Sequence, residues 1–271
     1  MTIARVLVLA LAMYALHGQA QQTGAKLTQD EIIDKYLKNG AWHHDLFLQE
    51  WQAEIDKGLA ADSTIAYLWQ QKAMPLFKQR KYSPGMKYLD KAVVYAPERW
   101  QDYRAFIKCI FMKDYHAAIL DFQSCIKRIG NSYVMDHSYH FYIALCYLQL
   151  NEFAKAEKLL ADDIVAVRKV KGDGWVHHLD QFYLGIAKFE QKKYDEAIVE
   201  FDKALKLYPK FSDVKFYKAT AFFRMGNREE AIKLVREAKT DFDQGHTINE
   251  DNVIYERYPY QVNWELVRLN P

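Results

Sequence analysis

The sequence predicts an all-α chain, a right-handed superhelical solenoid of antiparallel helix pairs, on three observations. Five stretches fall into nearly the same 34-residue frame, the mark of stacked supersecondary repeats. Small residues recur at the eighth and twentieth places of that frame: Ala73 with Gly85, Ala144 with Ala156, Gly185 with Ala197, and Ala219 with Ala231. Two helices of a pair can approach closely only where such residues meet. Large apolar residues fill the places between them, and Pro97 and Pro209 close the first and fourth stretches.

Residues 1–20 carry Arg5, an apolar run from Val6 to Leu16, and the small residues Gly18 and Ala20. That is the pattern of a cleaved signal peptide. The run is shorter than the roughly 20 apolar residues needed to cross a bilayer, so no membrane span is expected in the mature chain. Residues 21–62 read as an N-terminal helical cap, a degenerate half-repeat. Thr28 and Glu31 form a capping box for a helix to about Leu37. A second helix is expected from about Trp42 to Ala60. Terminal units depart from the frame because one of their faces has no neighbour.

Residues 63–242 hold about five units. The first places Trp69, Ala73, Phe77, Tyr82, Gly85, Leu89 and Ala92 in frame, with Ser83 and Pro84 ready to start its second helix. Pro75 falls inside the first helix, where a missing backbone donor predicts a kink. The second unit begins near Trp100 and carries Tyr103, Phe106, Tyr115, Ala118, Phe122 and Cys125. The third begins near His137, and its second helix is expected to run on past Asp163. The fourth carries Leu184, Gly185, Tyr194, Ala197, Phe201 and Ala204, and the fifth Ala219, Phe222, Gly226, Ala231 and Ala238. Steps of 38 residues from Ala118 to Ala156 and 41 from Ala156 to Ala197, against 34 from Ala197 to Ala231, put extra residues in the turns between repeats. Residues 243–271 are rich in Tyr and Trp and are split by Pro259. They lack the polar face of a capping helix and are expected to pack on the last repeat or in the groove.

These frame residues resemble the tetratricopeptide repeat, most clearly in FYLGIAKFEQKKYDEAIVEFDKALKLYP. The resemblance implies a family whose members mostly hold other proteins, along a concave face lined by the first helix of each unit. Carried onto this sequence, its lining places give a partner-binding groove of Tyr67, Gln70, Met74 and Phe77, then Arg104, Lys108 and Phe111, then Phe141 and Leu145. It continues with Phe182, Ile186 and Phe189 and ends with Asp213, Phe216, Thr220 and Phe223. An apolar stripe of that length has to be covered. The leading reading is a non-catalytic adaptor of the bacterial cell envelope, exported to the periplasm or cell surface, that binds a protein or peptide segment. The alternative is a structural or self-assembling repeat protein whose groove is covered by its own tail. The family's clamp for chaperone carboxylates is not expected, because its Lys and Asn places hold Gln70 and Met74 in the first unit.

Charge and chemistry exclude other classes. Without residues 1–20 the chain loses only Arg5, leaving 36 basic against 35 acidic side chains, and no clustered basic surface speaks for nucleic acid. Cys109, Cys125 and Cys146 read as small buried hydrophobes, with Cys109 to Cys125 the one pairing worth testing. His137 and His140, and the doublets His43-His44 and His177-His178, have no ligand set to complete a metal site. No serine elbow, phosphate loop or zinc-protease motif is present. Neither catalytic residues nor a cofactor are expected.

Overall fold

Thr28 starts the first helix from both sides of its capping box: its Oγ1 accepts from the Glu31 amide at 3.3 Å, and its own amide donates to the Glu31 carboxylate at 2.8 Å. The computed structural model describes residues 26–267, so the signal peptide assigned to residues 1–20 lies outside them. The chain divides between Ser63 and Thr64 into two compact units. In the first, α1 (Gln29–Ile33) passes into a π-helical turn at Asp34–Lys38. A 3₁₀ turn at Ala41–His43 leads to α2 (Gln49–Ala61), which starts later than the sequence implied. Ile32, Leu37, Ala41, Trp51, Ile55 and Leu59 form the buried side of this unit.

The second unit holds five helix pairs. They are α3 (Ala66–Lys78) with α4 (Tyr82–Tyr95), α5 (Pro97–Ile107) with α6 (Tyr115–Ile129), and α7 (Tyr139–Gln149) with α8 (Phe153–Lys171). The last two are α9 (His178–Glu190) with α10 (Tyr194–Leu207), and α11 (Ser212–Arg224) with α12 (Arg228–Asp243). A π-helical turn, Lys108–Met112, extends α5, while α3 continues through Pro75 to Lys78.

One turn geometry joins the two helices of every pair. Arg80, Lys113, Asn151, Lys192 and Gly226 each stand two residues before the second helix with positive φ, 60°, 60°, 59°, 63° and 88°. The amide that follows reaches back to a carbonyl in the last turn of the first helix. The bonds are Lys81 N to Leu76 O (2.8 Å), Asp114 N to Lys108 O (2.9 Å), Glu152 N to Tyr147 O (2.8 Å), Lys193 N to Lys188 O (3.0 Å) and Asn227 N to Phe222 O (2.9 Å). Four of these are the Schellman closure, from an amide to the carbonyl five residues back, while the Asp114 amide reaches six back into the π-helical turn; all satisfy carbonyls a helix end leaves open. Four of the five turns do it without glycine.

The small frame residues sit where side chains leave no room. A Cβ on Gly185 would come within 2.5 Å of the Phe201 ring, and one on Gly85 within 2.8 Å of Phe77. The residues in excess of the frame are accounted for too. Between α6 and α7 they form a two-residue β-hairpin, β1 (Tyr133–Val134) pairing antiparallel with β2 (His137–Ser138). Between α8 and α9 they lengthen α8 to 19 residues and add a 3₁₀ turn at Asp173–Trp175. One continuous core runs from Ala73 on α3 through the pairs to Ile248 and Tyr258, beyond the last helix.

Candidate functional site

Among the described residues no helix forms after Asp243. The run of Tyr and Asn and the break at Pro259 leave residues 244–267 with backbone groups that must find partners elsewhere. They find them on the first helices of the pairs and on Arg80 and Lys113 in the turns that follow the first two. Gly245, at φ 85°, turns the chain back, and His246 O accepts from Ser212 N at 3.0 Å. The outward limb crosses α11 and α9, and Glu250 lies 3.2 Å from His137 Nε2. At its far end Tyr255 O accepts from Arg80 Nη2 at 3.1 Å, and Lys78 Nζ stands 4.9 Å over the Tyr255 ring. The chain then reverses. Arg257 O accepts from Lys113 Nζ at 3.0 Å and Pro259 O from the Tyr183 hydroxyl at 2.9 Å. Tyr260 packs on Tyr217, and Trp264 seats between Phe216 and Phe242 at ring distances of 5.6 and 5.8 Å.

Asp213 fastens both limbs. Its carboxylate accepts from Thr247 Oγ1 at 2.7 Å and from the amides of Ile248 at 3.1 Å and Val262 at 2.8 Å, and the side chain is fully buried. Burial pushes its carboxyl above the ordinary range, although all three donors pull the other way. The aspartate thus acts as a fixed acceptor for two separated stretches of backbone.

A histidine cluster meets the outward limb. The His137 ring stacks on Phe141 at 3.9 Å and lies 5.2 Å from His177, which lies 4.0 Å from His178. Burial, then His177 beside it, lowers His178 to about 4. Burial raises Asp180 to about 6. For Glu250 burial works upward, but His137 and its neighbours overcome it and hold the carboxyl below its ordinary value. Among the described residues no group of three or more His, Cys, Asp or Glu side chains is arranged to hold a metal ion.

The residues assigned to the groove from the sequence separate into three sets. Gln70, Phe77, Phe111, Phe141, Leu145, Phe182 and Ile186 are buried. These side chains are covered for two physical reasons: neighbouring first helices pack against each other there, and the tail closes over them; Gln70, Phe77 and Phe111 also line the pocket left beside the tail. Phe182, with rings of Tyr183, Phe201, Phe211 and Tyr217 around it, has no exposed surface. A second set is half-buried. Tyr67 stacks on Trp100, Phe189 packs on Tyr194 and Tyr217, and Phe216 meets Trp264. Thr220 Oγ1 donates to Phe216 O, and Arg104 and Lys108 pair with Asp121 at 2.7 and 2.6 Å. Met74, also half-buried, lines a 400 Å³ pocket left between α3, α5 and the tail at Asp251–Tyr255. Phe223 alone is exposed, at 54%, on the rim of a 290 Å³ apolar pocket between α11 and α12.

The tail's own partners went largely unassigned. Tyr183, Arg80, Lys113 and His137 had no functional role in the sequence, and only the run of Tyr and Pro after Asp243 hinted that something would be gripped. Cys109 is likewise placed differently: its Sγ lies 3.4 Å from Cys146, on the next repeat, the contact the Cys109 to Cys125 expectation missed.

Comparison with known proteins places the fold. Residues 188–245 match the family model described as Tetratricopeptide repeat. The chain is similar to a tetratricopeptide repeat protein from Parabacteroides merdae ATCC 43184, with a TM-score of 0.63, 16% identity and 79% of each chain covered. It is also similar to PilW, a widely conserved type IV pilus biogenesis factor (0.61, 13% identity, 83% of this chain and 96% of that one). MamA from Desulfovibrio magneticus RS-1 follows (0.55, 13%, 66% and 96%). At these identities the likeness speaks for the fold alone. No curated protein matches the sequence. No helix among the described residues is long and apolar enough to cross a membrane.

Proposed function

We propose that this chain, which has the tetratricopeptide-repeat fold and matches that repeat over residues 188–245, serves as a non-catalytic scaffold of the bacterial cell envelope that receives a protein or peptide segment on the face of its first helices, its own tail standing in for that segment. The observation that carries this reading is how the tail is held. Asp213, Tyr183, Arg80 and Lys113 all bond to main-chain groups of residues 248–262. Recognition through backbone groups tolerates changes of side chain and suits a groove that accepts extended segments of differing sequence. Aromatic seats for Tyr260 and Trp264 supply apolar area beside it. The envelope assignment rests on the export pattern of residues 1–20, and PilW, a pilus biogenesis factor of the same fold, agrees with it.

Exchange of the tail tests the reading. A protease site placed at Gln244–Gly245, an exposed turn, allows the chain to be cut after folding, and a fluorescent peptide of residues 245–267 is then offered to the nicked protein. Replacement of the native tail by the labelled peptide, blocked by Asp213→Ala, supports a groove open to guests in trans. A nicked tail that never exchanges supports a second reading, favoured by the burial of Ile248 and Tyr258 within the main core: a structural repeat protein permanently closed by its own chain. Cell fractionation tests the location.

A further inference from the structure

Two of the three cysteines have no part in gripping the tail. Cys109, in the π-helical turn that extends α5, and Cys146, in α7, belong to the first helices of successive repeats, 37 residues apart. Their Sγ atoms lie 3.4 Å from each other and neither side chain has any exposed surface. A buried cysteine acting as a small hydrophobe needs no second sulfur against it. Cys125 behaves in that simpler way, on α6 with Arg128 Nη2 at 3.7 Å. The position of the pair matters too. The β-hairpin at Tyr133–Ser138 lengthens the connection between the second and third repeats, and these two sulfurs join the first helices of those two repeats.

We propose that Cys109 and Cys146 form a disulfide as the chain folds in an oxidising environment, stapling the second repeat to the third. One thiolate attacks a sulfur of a disulfide oxidant of the glutathione class, giving a mixed disulfide and one reduced thiol. The second cysteine then attacks the sulfur of the first. The two cysteine S–H bonds and the oxidant's S–S bond are broken, and one protein S–S bond and the S–H bonds of the oxidant's two thiols form; the two electrons and two protons given up by the cysteines end on those thiols. The bond is made before α5 and α7 close on each other. Burial, with the Cys109 sulfur beside it, raises the Cys146 thiol well above its ordinary value in the folded chain, so thiolate is scarce there.

The full chain, unfolded and fully reduced, is refolded by dilution into a reduced and oxidised glutathione buffer, alkylated in denaturant and mapped by mass spectrometry. One alkylated thiol, at Cys125, with the Cys109 and Cys146 peptides linked, is the expected result. Reduction of that product lowers its melting temperature by roughly 10 °C, from the loop-closure effect of a ring of this size, and leaves a Cys109→Ser variant unmoved. Three alkylated thiols, a link involving Cys125, a persistent glutathione adduct, or a melting temperature indifferent to reduction each overturns the proposal. None of these readouts depends on what the tail does.

Discussion

Asp213 is the point at which the tail can be unfastened. Replacing it with alanine removes the acceptor for Thr247 Oγ1 and for the amides of Ile248 and Val262. Hydrogen bonds to a charged acceptor contribute about 1.5–3 kcal/mol each, and a buried amide left without a partner costs about 1–3 kcal/mol. Part of this is returned, because the variant no longer buries a carboxylate that burial already disfavours. The net loss for the docked tail is then about 3–6 kcal/mol, concentrated on residues that carry no regular structure. Hydrogen exchange reads it directly. Amides of Ile248 and Val262 are expected to exchange roughly a hundred- to ten-thousand-fold faster in Asp213→Ala, at about 1.4 kcal/mol for each factor of ten. Amides within α9 and α10 should hold their protection, and Asp213→Asn, which keeps one acceptor oxygen, should fall between. Exchange at Ile248 and Val262 within threefold of the parent, in a variant whose α9 and α10 stay protected, would refute the reasoning.

Three further outcomes are expected. Gly185→Ala drives a Cβ into the buried Phe201 ring and should cost about 1–3 kcal/mol in a denaturant titration, although alanine is the better helix former. At the pair turns, Lys192→Gly should raise stability by about 0.5–1 kcal/mol, because φ 63° strains a residue with a Cβ, whereas Gly226→Ala, at φ 88°, should lower it; opposite shifts of the melting temperature check the pair. His178 makes the fold acid-sensitive. Its folded value of about 4 lies below the unfolded 6.5, so on acidification the unfolded chain takes up the proton first and stability falls from about pH 6.5 downward, by about 2 kcal/mol at pH 5. Asp180, raised to about 6, works in the opposite sense, so the test is the difference in pH dependence between the parent and His178→Gln rather than the parent's curve alone.

Pattern carried the pairs and missed what lies on them. Ala73, Gly85, Gly185 and Ala197 announce helix contacts because a close approach forbids larger side chains whatever surrounds it. Their spacing also reported the extra residues that became β1 and β2 and the long α8. Lining residues were less legible. Phe182 and Ile186 occupy places that face outward in a single pair, but whether such a place meets a guest, a neighbouring repeat or the chain's own end depends on contacts between residues far apart in sequence. Asp213 shows the limit well. It stands at a lining place, yet nothing local distinguishes an aspartate that pairs with a lysine from one that holds two backbone amides of residues 35 and 49 positions on. The four non-glycine turns escaped for a related reason: the geometry is set by the amide that closes back on the preceding helix end, and Arg80, Lys113, Asn151 and Lys192 carry no glycine to mark it.

An array of repeats ordinarily keeps only nearest-neighbour bookkeeping, so its ends can melt while the middle survives. Here the contact between Arg80 and Tyr255 spans 175 residues of chain, and the same tail then returns to α11. Fraying the first pair therefore loosens the last, and the stack ought to melt in a single concerted step for as long as its strap is in place. Cut the strap, and the transition should broaden into the gradual, end-inward unravelling of an open stack.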